Sequence, residues 1–563
     1  MFKKRDIFLF LLSFFLIVTA LICIEIQHLR TENEVKDFVR MPFISDPDSL
    51  MWRNYFEKFL NNPCIPVLYD LDNGTQSRPI YWSPLPLKLF EIINFFAPDK
   101  YIFFYTTLIL IGLLLLISFQ ARFDFLILTA SITSSLIPIF CLRNLDHHPL
   151  QILLVVLTSS LILSSIRYKQ KWTSIYAGIS LALLAWAGMP LTCILLSFFT
   201  LVLLFFLLEN KSSRNTFDLQ EVAKVHISLL ITFTLIVLNY YGVETRGVFI
   251  EQPSLYSLLL LSCFFIFIYF IFLKNFKSLF LLISCLGLML ASCLNGSLKI
   301  AMLNEGIQSM MMNINELSSI EFSQGHSRIV FLIFTSIFLI FFLRKEASEI
   351  GIFYSWILVL AIFLTCFQIR WYILLYSLYI SGLILIKNYF SKISLACISI
   401  ASMLYLNAIL IHDHINHQVS VNFIKASFME NVANELLAFH PKIVLCSFDN
   451  ALFFNNKKIK VIGSNYWENQ EGVKKNLNLL FENKAGVRDL LIQERVSHII
   501  LTTEDIALFK LNKFLSKSPK QTLYYALLTN KEIPDYIKFQ KTINFSMPGK
   551  VFKAFIYSVH LQN

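Results

Sequence analysis

The sequence predicts a polytopic α-helical membrane protein carrying a C-terminal extracytoplasmic α/β domain, and three observations predict it. Of its 563 residues 56% are hydrophobic and only 15% charged, with a mean hydropathy of +0.62, far outside the makeup of a soluble globular protein. The apolar residues gather into runs of roughly 17–22, each able to cross a bilayer core of about 30 Å. Beyond about residue 412 those runs stop, and short β-type segments alternate with amphipathic ones.

In chain order, Met1-Phe-Lys-Lys-Arg5 precedes an apolar run from Ile7 to Ile26. It is too long for a removed signal peptide and lacks the small-residue cleavage pattern, so it reads as a retained first span. Further spans fall near 101–119, 123–142, 150–166, 173–189, 191–208, 223–241, 254–273, 278–295, 327–343, 351–367, 371–388 and 393–411, about thirteen in all. With the N-terminus in the cytoplasm, the loops bearing Arg122, Arg167/Lys169/Lys171, Lys211/Arg214, Lys274/Lys277, Arg344/Lys345 and Lys387/Lys392 all lie inside, as the positive-inside rule asks. The net charge of +11 is therefore a topology signal; its Lys and Arg are scattered and form no nucleic-acid stripe. Most of the ten cysteines sit within apolar runs, with no CxxC, so neither a disulfide framework nor a zinc knuckle is indicated.

This topology puts the loop 27–100, the loop 296–326 and everything after His412 on the outer face. The domain division is thus a transmembrane part, 1–411, and an outer α/β part, 412–563. The stretch from Leu85 to Phe96, interrupted by Lys88 and Glu91, reads as a helix lying along the interface. In the outer part, Lys442–Cys446, Lys458–Ile462, Ser497–Leu501 and Val551–Tyr557 read as strands, and Asn422–Phe439, Val473–Asn483 and Val487–Arg495 as helices.

The chemistry concentrates at one short hairpin, Arg143-Asn144-Leu145-Asp146-His147-His148-Pro149, between two apolar runs. A carboxylate and two imidazoles at a membrane boundary mark a candidate functional site, because ionisable groups beside hydrocarbon are costly unless they face water or a cation. Asp46 and Asp48 in the first outer loop and Glu316 in the later one place further acids on the same face. Oxygen ligands with one imidazole and no thiolate suit Mg²⁺ or Mn²⁺, with Asp46 or Asp48, Asp146, His148 and Glu316 as candidates. The competing reading pairs each acid with a nearby base, Asp46 or Asp48 with Arg53 and Asp146 with Arg143. Arg370, in Gln368-Ile369-Arg370-Trp371-Tyr372, offers a fixed donor fork for phosphate oxygens; its alternative is a snorkelling boundary residue.

The order of these parts resembles the catalytic subunit of oligosaccharyltransferase and related membrane glycosyltransferases of the GT-C fold. The resemblance rests on an Asp-Pro first loop followed by Arg53, the Asp146-His-His148 hairpin, Glu316 in a later outer loop and an outer C-terminal domain. It implies a metal-dependent, inverting glycosyltransferase. Asp48 or Asp46 and Glu316 would serve as its catalytic acids, and Arg370 and Arg53 would contact substrate. It further implies a polyprenyl-phosphate or diphosphate sugar donor held in membrane lipid and an acceptor that is a glycan, lipid or protein. The Trp-Trp-Asp-Tyr-Gly motif of the sequon-reading enzymes is absent, which counts against protein N-glycosylation; the nearest segment is Gly463-Ser-Asn-Tyr466-Trp467-Glu-Asn469-Gln470, where the stretch from Tyr466 and Trp467 to Asn469 lines the acceptor entrance or packs within the outer domain. In the first loop Asp46 lies one residue further from Arg53 than the family spacing and Asp48 lies closer, so both stay open. A transporter or flippase of an anionic lipid-linked substrate is the rival reading; against it, the acids lie in loops at one face and no internal repeat is visible. The expected location is a bacterial inner membrane, with the site and the outer domain on the periplasmic side.

Overall fold

The structure, a computed structural model, describes residues 47–61, 67–80, 84–96, 148–168, 172–188, 191–196, 199, 219–240, 327–345, 349–367, 371–385, 419–448, 450–464, 469–483, 486–503, 519–547 and 550–560. They fall into two compact units, one drawn from 81–299 and 315–412, the other from 26–80, 300–314 and 413–563. Residues 47–80, grouped by sequence with the transmembrane part, therefore fold with the C-terminal sheet.

The helical unit holds α2 (Pro84–Phe96), α3 (His148–Tyr168), α4 (Thr173–Ala187), α5 (Leu219–Tyr240), α6 (Ser327–Lys345), α7 (Glu349–Phe367) and α8 (Tyr372–Leu385). These helices coincide with six of the apolar runs and with the interfacial segment; of the remaining runs only 191–196 and 199, helical and within the run 191–208, are among the described residues. The α2 helix follows from its pattern: Leu87, Phe90 and Ile93 recur every third residue, are buried, and turn toward α4, whereas Ile92 and Phe95 stay exposed. α3 packs between α4 and α8, and α6, α7 and α8 pack mutually. Small polar side chains tie these helices together. Thr158 and Ser180 share a 2.7 Å hydrogen bond between α3 and α4, Ser228 donates to the Ile175 carbonyl at 2.9 Å, and the Tyr354 hydroxyl donates to the Leu378 carbonyl at 2.7 Å. Among the described residues, no helix offers an unbroken stretch long and apolar enough to cross a membrane.

The other unit begins with α1 (Pro47–Asn61) and the short hairpin β1 (Val67–Tyr69) and β2 (Arg78–Ile80). Proline suits the first turn of α1, where its missing N–H has no helical partner. Met51, Trp52, Tyr55, Phe56 and Phe59 form its buried face, and each such fully buried side chain stabilises the unit by roughly 1.5–3 kcal/mol. α9 (Val419–Leu437), β3 (Ile443–Leu445), α10 (Ala451–Asn456), β4 (Lys460–Val461), α11 (Gln470–Phe481), α12 (Val487–Gln493), β5 (His498–Thr502), α13 (Leu523–Thr529), β6 (Ile537–Met547) and β7 (Lys550–Val559) complete it. The sheet runs β4-β3-β5-β7-β6, with β4, β3 and β5 parallel and the β6–β7 hairpin added antiparallel. This is the α/β region expected: β3, β4, β5, β7, α9, α11 and α12 fall where the alternation placed them, while α10, α13 and β6 are additional. Phe428 of α9 meets Phe545 and Phe552 of the hairpin at ring separations of 6.2 and 5.6 Å, closing that face.

Candidate active site

In the helical unit the hairpin of ionisable residues is described from His148 onward. His148 opens α3 and is half-buried. Its Nδ1 lies 3.0 Å from Gln151 Oε1, one helical turn along the same face. Gln151 is buried and donates through Nε2 to the Ala187 carbonyl at the end of α4, also at 3.0 Å. The ring is therefore anchored to two helices before any ligand arrives. An imidazole with one ring nitrogen tied by an outer hydrogen bond fits the usual setting of a metal-ligating histidine.

Asp46, Asp146, Glu316, Arg370, Tyr466 and Trp467 lie outside the described residues. Asp48 occupies the first turn of α1, and Arg53 stands on the same helix. Arg53 is exposed, and its Nε lies 3.4 Å from Glu57 Oε1, so its guanidinium is shared with a carboxylate one turn further on. His148 belongs to the helical unit, Asp48 and Arg53 to the other. Among the described residues no group of three or more His, Cys, Asp or Glu could hold a metal.

The segment nearest in position to the missing sequon motif is held at both ends by one acid. Asp72, fully buried between β1 and β2, forms a two-pronged ion pair with Arg78: Nε to Oδ1 and Nη2 to Oδ2, both 2.7 Å. Ser464 donates to Asp72 Oδ2 at 2.5 Å, and Asn469 donates through Nδ2 to the Asp72 carbonyl at 2.5 Å. Asn469 also caps α11, its Oδ1 accepting from the Gly472 N–H at 3.3 Å. Backbone bonds reinforce the junction: Gly74 N–H to the Val461 carbonyl at 2.9 Å and Val461 N–H to the Leu71 carbonyl at 2.8 Å. The turn needs glycine at 74, because its φ of +65° is left-handed and an added Cβ would stand 2.6 Å from Glu494 Oε2. First-loop residues thus fix both flanks, Ser464 and Asn469, of the tetrapeptide carrying Tyr466 and Trp467.

Electrostatics follow the same packing. Burial, with the charge of Asp72 behind it, pushes the Tyr69 phenol well above its usual range, although Arg78 lies 5.7 Å from its ring. Burial raises the Asp70 carboxyl, but Lys58 at 2.8 Å and Lys460 at 3.4 Å outweigh it and hold it below the usual value.

Sequence reasoning passed over Asp72, Arg78, Ser464, Gln151 and Gly188, and read Asn469 only as part of the acceptor-entrance segment. Only the turn signal Asp72-Asn73-Gly74 and the spacing from His148 to Gln151 could have pointed to any of them.

Neither a protein-family model nor a curated protein matches the chain. Solved structures do. The archaeal oligosaccharyltransferase AglB from Archaeoglobus fulgidus, in complex with an inhibitory peptide and a dolichol-phosphate, aligns over 95% of this chain and 74% of its own, at 12% identity and a TM-score of 0.61. The Archaeoglobus fulgidus oligosaccharyltransferase in its apo form aligns over 99% and 75%, at 14% identity and a TM-score of 0.62. Its complex with Zn and sulfate aligns over 96% and 73%, at 12% identity and 0.53. The chain has the fold of these enzymes, which supports the GT-C resemblance carried by the short sequence motifs.

Proposed function

We propose that the chain is a membrane glycosyltransferase that moves a sugar or oligosaccharide from a polyprenyl-phosphate or polyprenyl-diphosphate donor to an acceptor at the outer face of the membrane. The observation that carries this reading is the oligosaccharyltransferase fold, aligned over 95–99% of the chain in two of the solved structures. A neighbour that holds a dolichol-phosphate and a peptide supports a lipid-linked donor. Membrane embedding is supported by apolar stripes left exposed on the helical unit: Ile227, Ile231, Leu235 and Leu238 on α5, each at least half exposed, and Phe334, Phe338 and Phe341 on α6. In water such stripes are a liability; against lipid they cost nothing.

Asp146, His148, Asp48 and Glu316 would hold Mg²⁺ or Mn²⁺, an ion that supplies positive charge where the phosphate leaving group becomes negative. A neighbour solved with Zn and sulfate supports metal binding in this fold. Asp48 or Asp46 would accept the proton that leaves the acceptor nucleophile as the new glycosidic bond forms. Arg370 would orient the donor phosphate through its planar fork. The missing Trp-Trp-Asp-Tyr-Gly motif favours an acceptor other than a protein sequon, and the Asp72 junction would present the Tyr466–Trp467 segment to it.

The test compares envelopes of cells carrying the native chain or Asp146→Asn at equal expression, by mass spectrometry of lipid-linked sugars, glycolipids and glycoproteins. Accumulation of one lipid-linked sugar with loss of one glycoconjugate is expected. Identical profiles, with a phenotype that appears only on deletion of the whole protein, would remove the transferase reading.

A further inference from the structure

His148 is fixed more closely than a metal ligand needs merely to be near its ion. Gln151 has one donor end and one acceptor end. Its Nε2 faces the Ala187 carbonyl, which can only accept, so Oε1 is the atom turned to the imidazole. A carboxamide oxygen in turn can only accept. Nδ1 of His148 must therefore carry the proton, and in the neutral ring the lone pair resides on Nε2.

The seat of Gln151 is itself specified. Gly188 follows α4, and a Cβ there would stand 2.6 Å from Gln151 Nε2 and 3.3 Å from its Cδ. No side chain fits at 188 while Gln151 reaches Ala187. A glycine after one helix, a buried amide in another and a histidine at that second helix's start thus form one chain of contacts.

We propose that Gln151, seated against Gly188, is a positioning residue that locks His148 in the Nδ1–H tautomer and so makes Nε2 the atom offered to a divalent cation. This rests on the metal reading given above. The amide adds no charge to the site, unlike a carboxylate in the same place, which would make the ring a more basic ligand.

The experiment uses the full-length protein in nanodiscs with Mn²⁺ as the probe. Affinity is read from the free-ion electron spin resonance signal, and the bound nitrogen is identified by electron spin echo modulation in protein grown on histidine labelled with ¹⁵N at either Nε2 or Nδ1. His148→Asn assigns the signal. Expected are coupling through Nε2 in the native chain, its loss in His148→Asn, and Mn²⁺ affinity lowered about 10–100-fold in both Gln151→Leu and Gly188→Ala. Gly188→Ala reaches the same amide from the other helix, so it keeps the test decisive if Gln151→Leu fails to fold. Coupling through Nδ1, or native affinity in the folded variants, overturns the positioning role while the metal reading stands. Absence of any nitrogen coupling in the native chain overturns both.

Discussion

Replacing Asp72 by asparagine tests the junction that joins the first-loop hairpin to the C-terminal sheet. The carboxylate is wholly buried and the Arg78 side chain is 8% exposed, so neither charge has water to fall back on. Arginine cannot shed its proton inside a protein. The substitution leaves a guanidinium facing a neutral amide, and breaking such a buried pair costs about 3–5 kcal/mol. At about 1.4 kcal/mol per factor of ten, local opening becomes roughly 150- to 4,000-fold more frequent. The amides of Gly74 and Val461 bridge the two segments and report that opening, because exchange in the native state follows the opening equilibrium. Hydrogen exchange of the full-length protein, read by mass spectrometry over 67–80 and 459–475, should accelerate by that factor. Lys458→Ala is the internal control: its pair with Glu57 is exposed on both sides, and such pairs contribute about 0.2–1 kcal/mol. Acceleration below about fivefold in Asp72→Asn would refute the argument, as would a failure of Asp72→Asn/Arg78→Met to recover part of the loss.

Gly74→Ala should lower the thermal midpoint of the same unit, since the left-handed backbone alone costs about 1–2 kcal/mol and Glu494, itself bound to Lys475 at 3.3 Å, must also move; an unchanged midpoint by scanning fluorimetry contradicts this. Burial and the neighbouring His560 hold the His498 imidazole below its ordinary value. A depressed folded-state value means the contribution is present above about pH 6.5, where the unfolded chain titrates, and is lost as pH falls through the folded value. Melting of the full chain at pH 7.5 and pH 5 should thus show an acid loss that His498→Phe reduces. Thr522 caps α13 by accepting from the Tyr525 N–H at 3.2 Å, and Thr522→Ala should cost about 1 kcal/mol, seen as faster exchange confined to 523–529.

Helices α3 to α8 were legible in sequence because each follows a predominantly apolar run, and β3, β4, β5 and β7 because short apolar stretches end at turn residues. β6 was missed: a bulge between Phe539 and Lys541 breaks the alternation and puts a lysine where an apolar residue would otherwise fall. The fold of residues 47–80 was illegible for another reason. Its partners, Ser464 and Asn469, lie 392 and 397 positions from Asp72, beyond any local pattern. His148 stood out as an ionisable residue among hydrocarbon, yet Gln151 looked like one tolerated polar residue in an apolar run. Its meaning depends on the Ala187 carbonyl and the empty space at Gly188, which only the packed helices supply.

The long reach between Asp72 and Ser464 also sets an order of assembly. During synthesis at about 5–20 residues per second, the first-loop segment emerges roughly 20–80 seconds before its partners exist. Throughout that interval α1 has the β1–β2 hairpin beside it, with the Tyr55 hydroxyl donating to the Ile80 carbonyl, but lacks α10, and Asp72 lacks the Ser464 and Asn469 side chains that later bind it. The segment is therefore completed only when the last quarter of the chain arrives. A chain cut short after the helical unit never gains α10 or Ser464, so the apolar face of α1 and the Asp72 carboxylate keep only the partners that the first loop itself supplies.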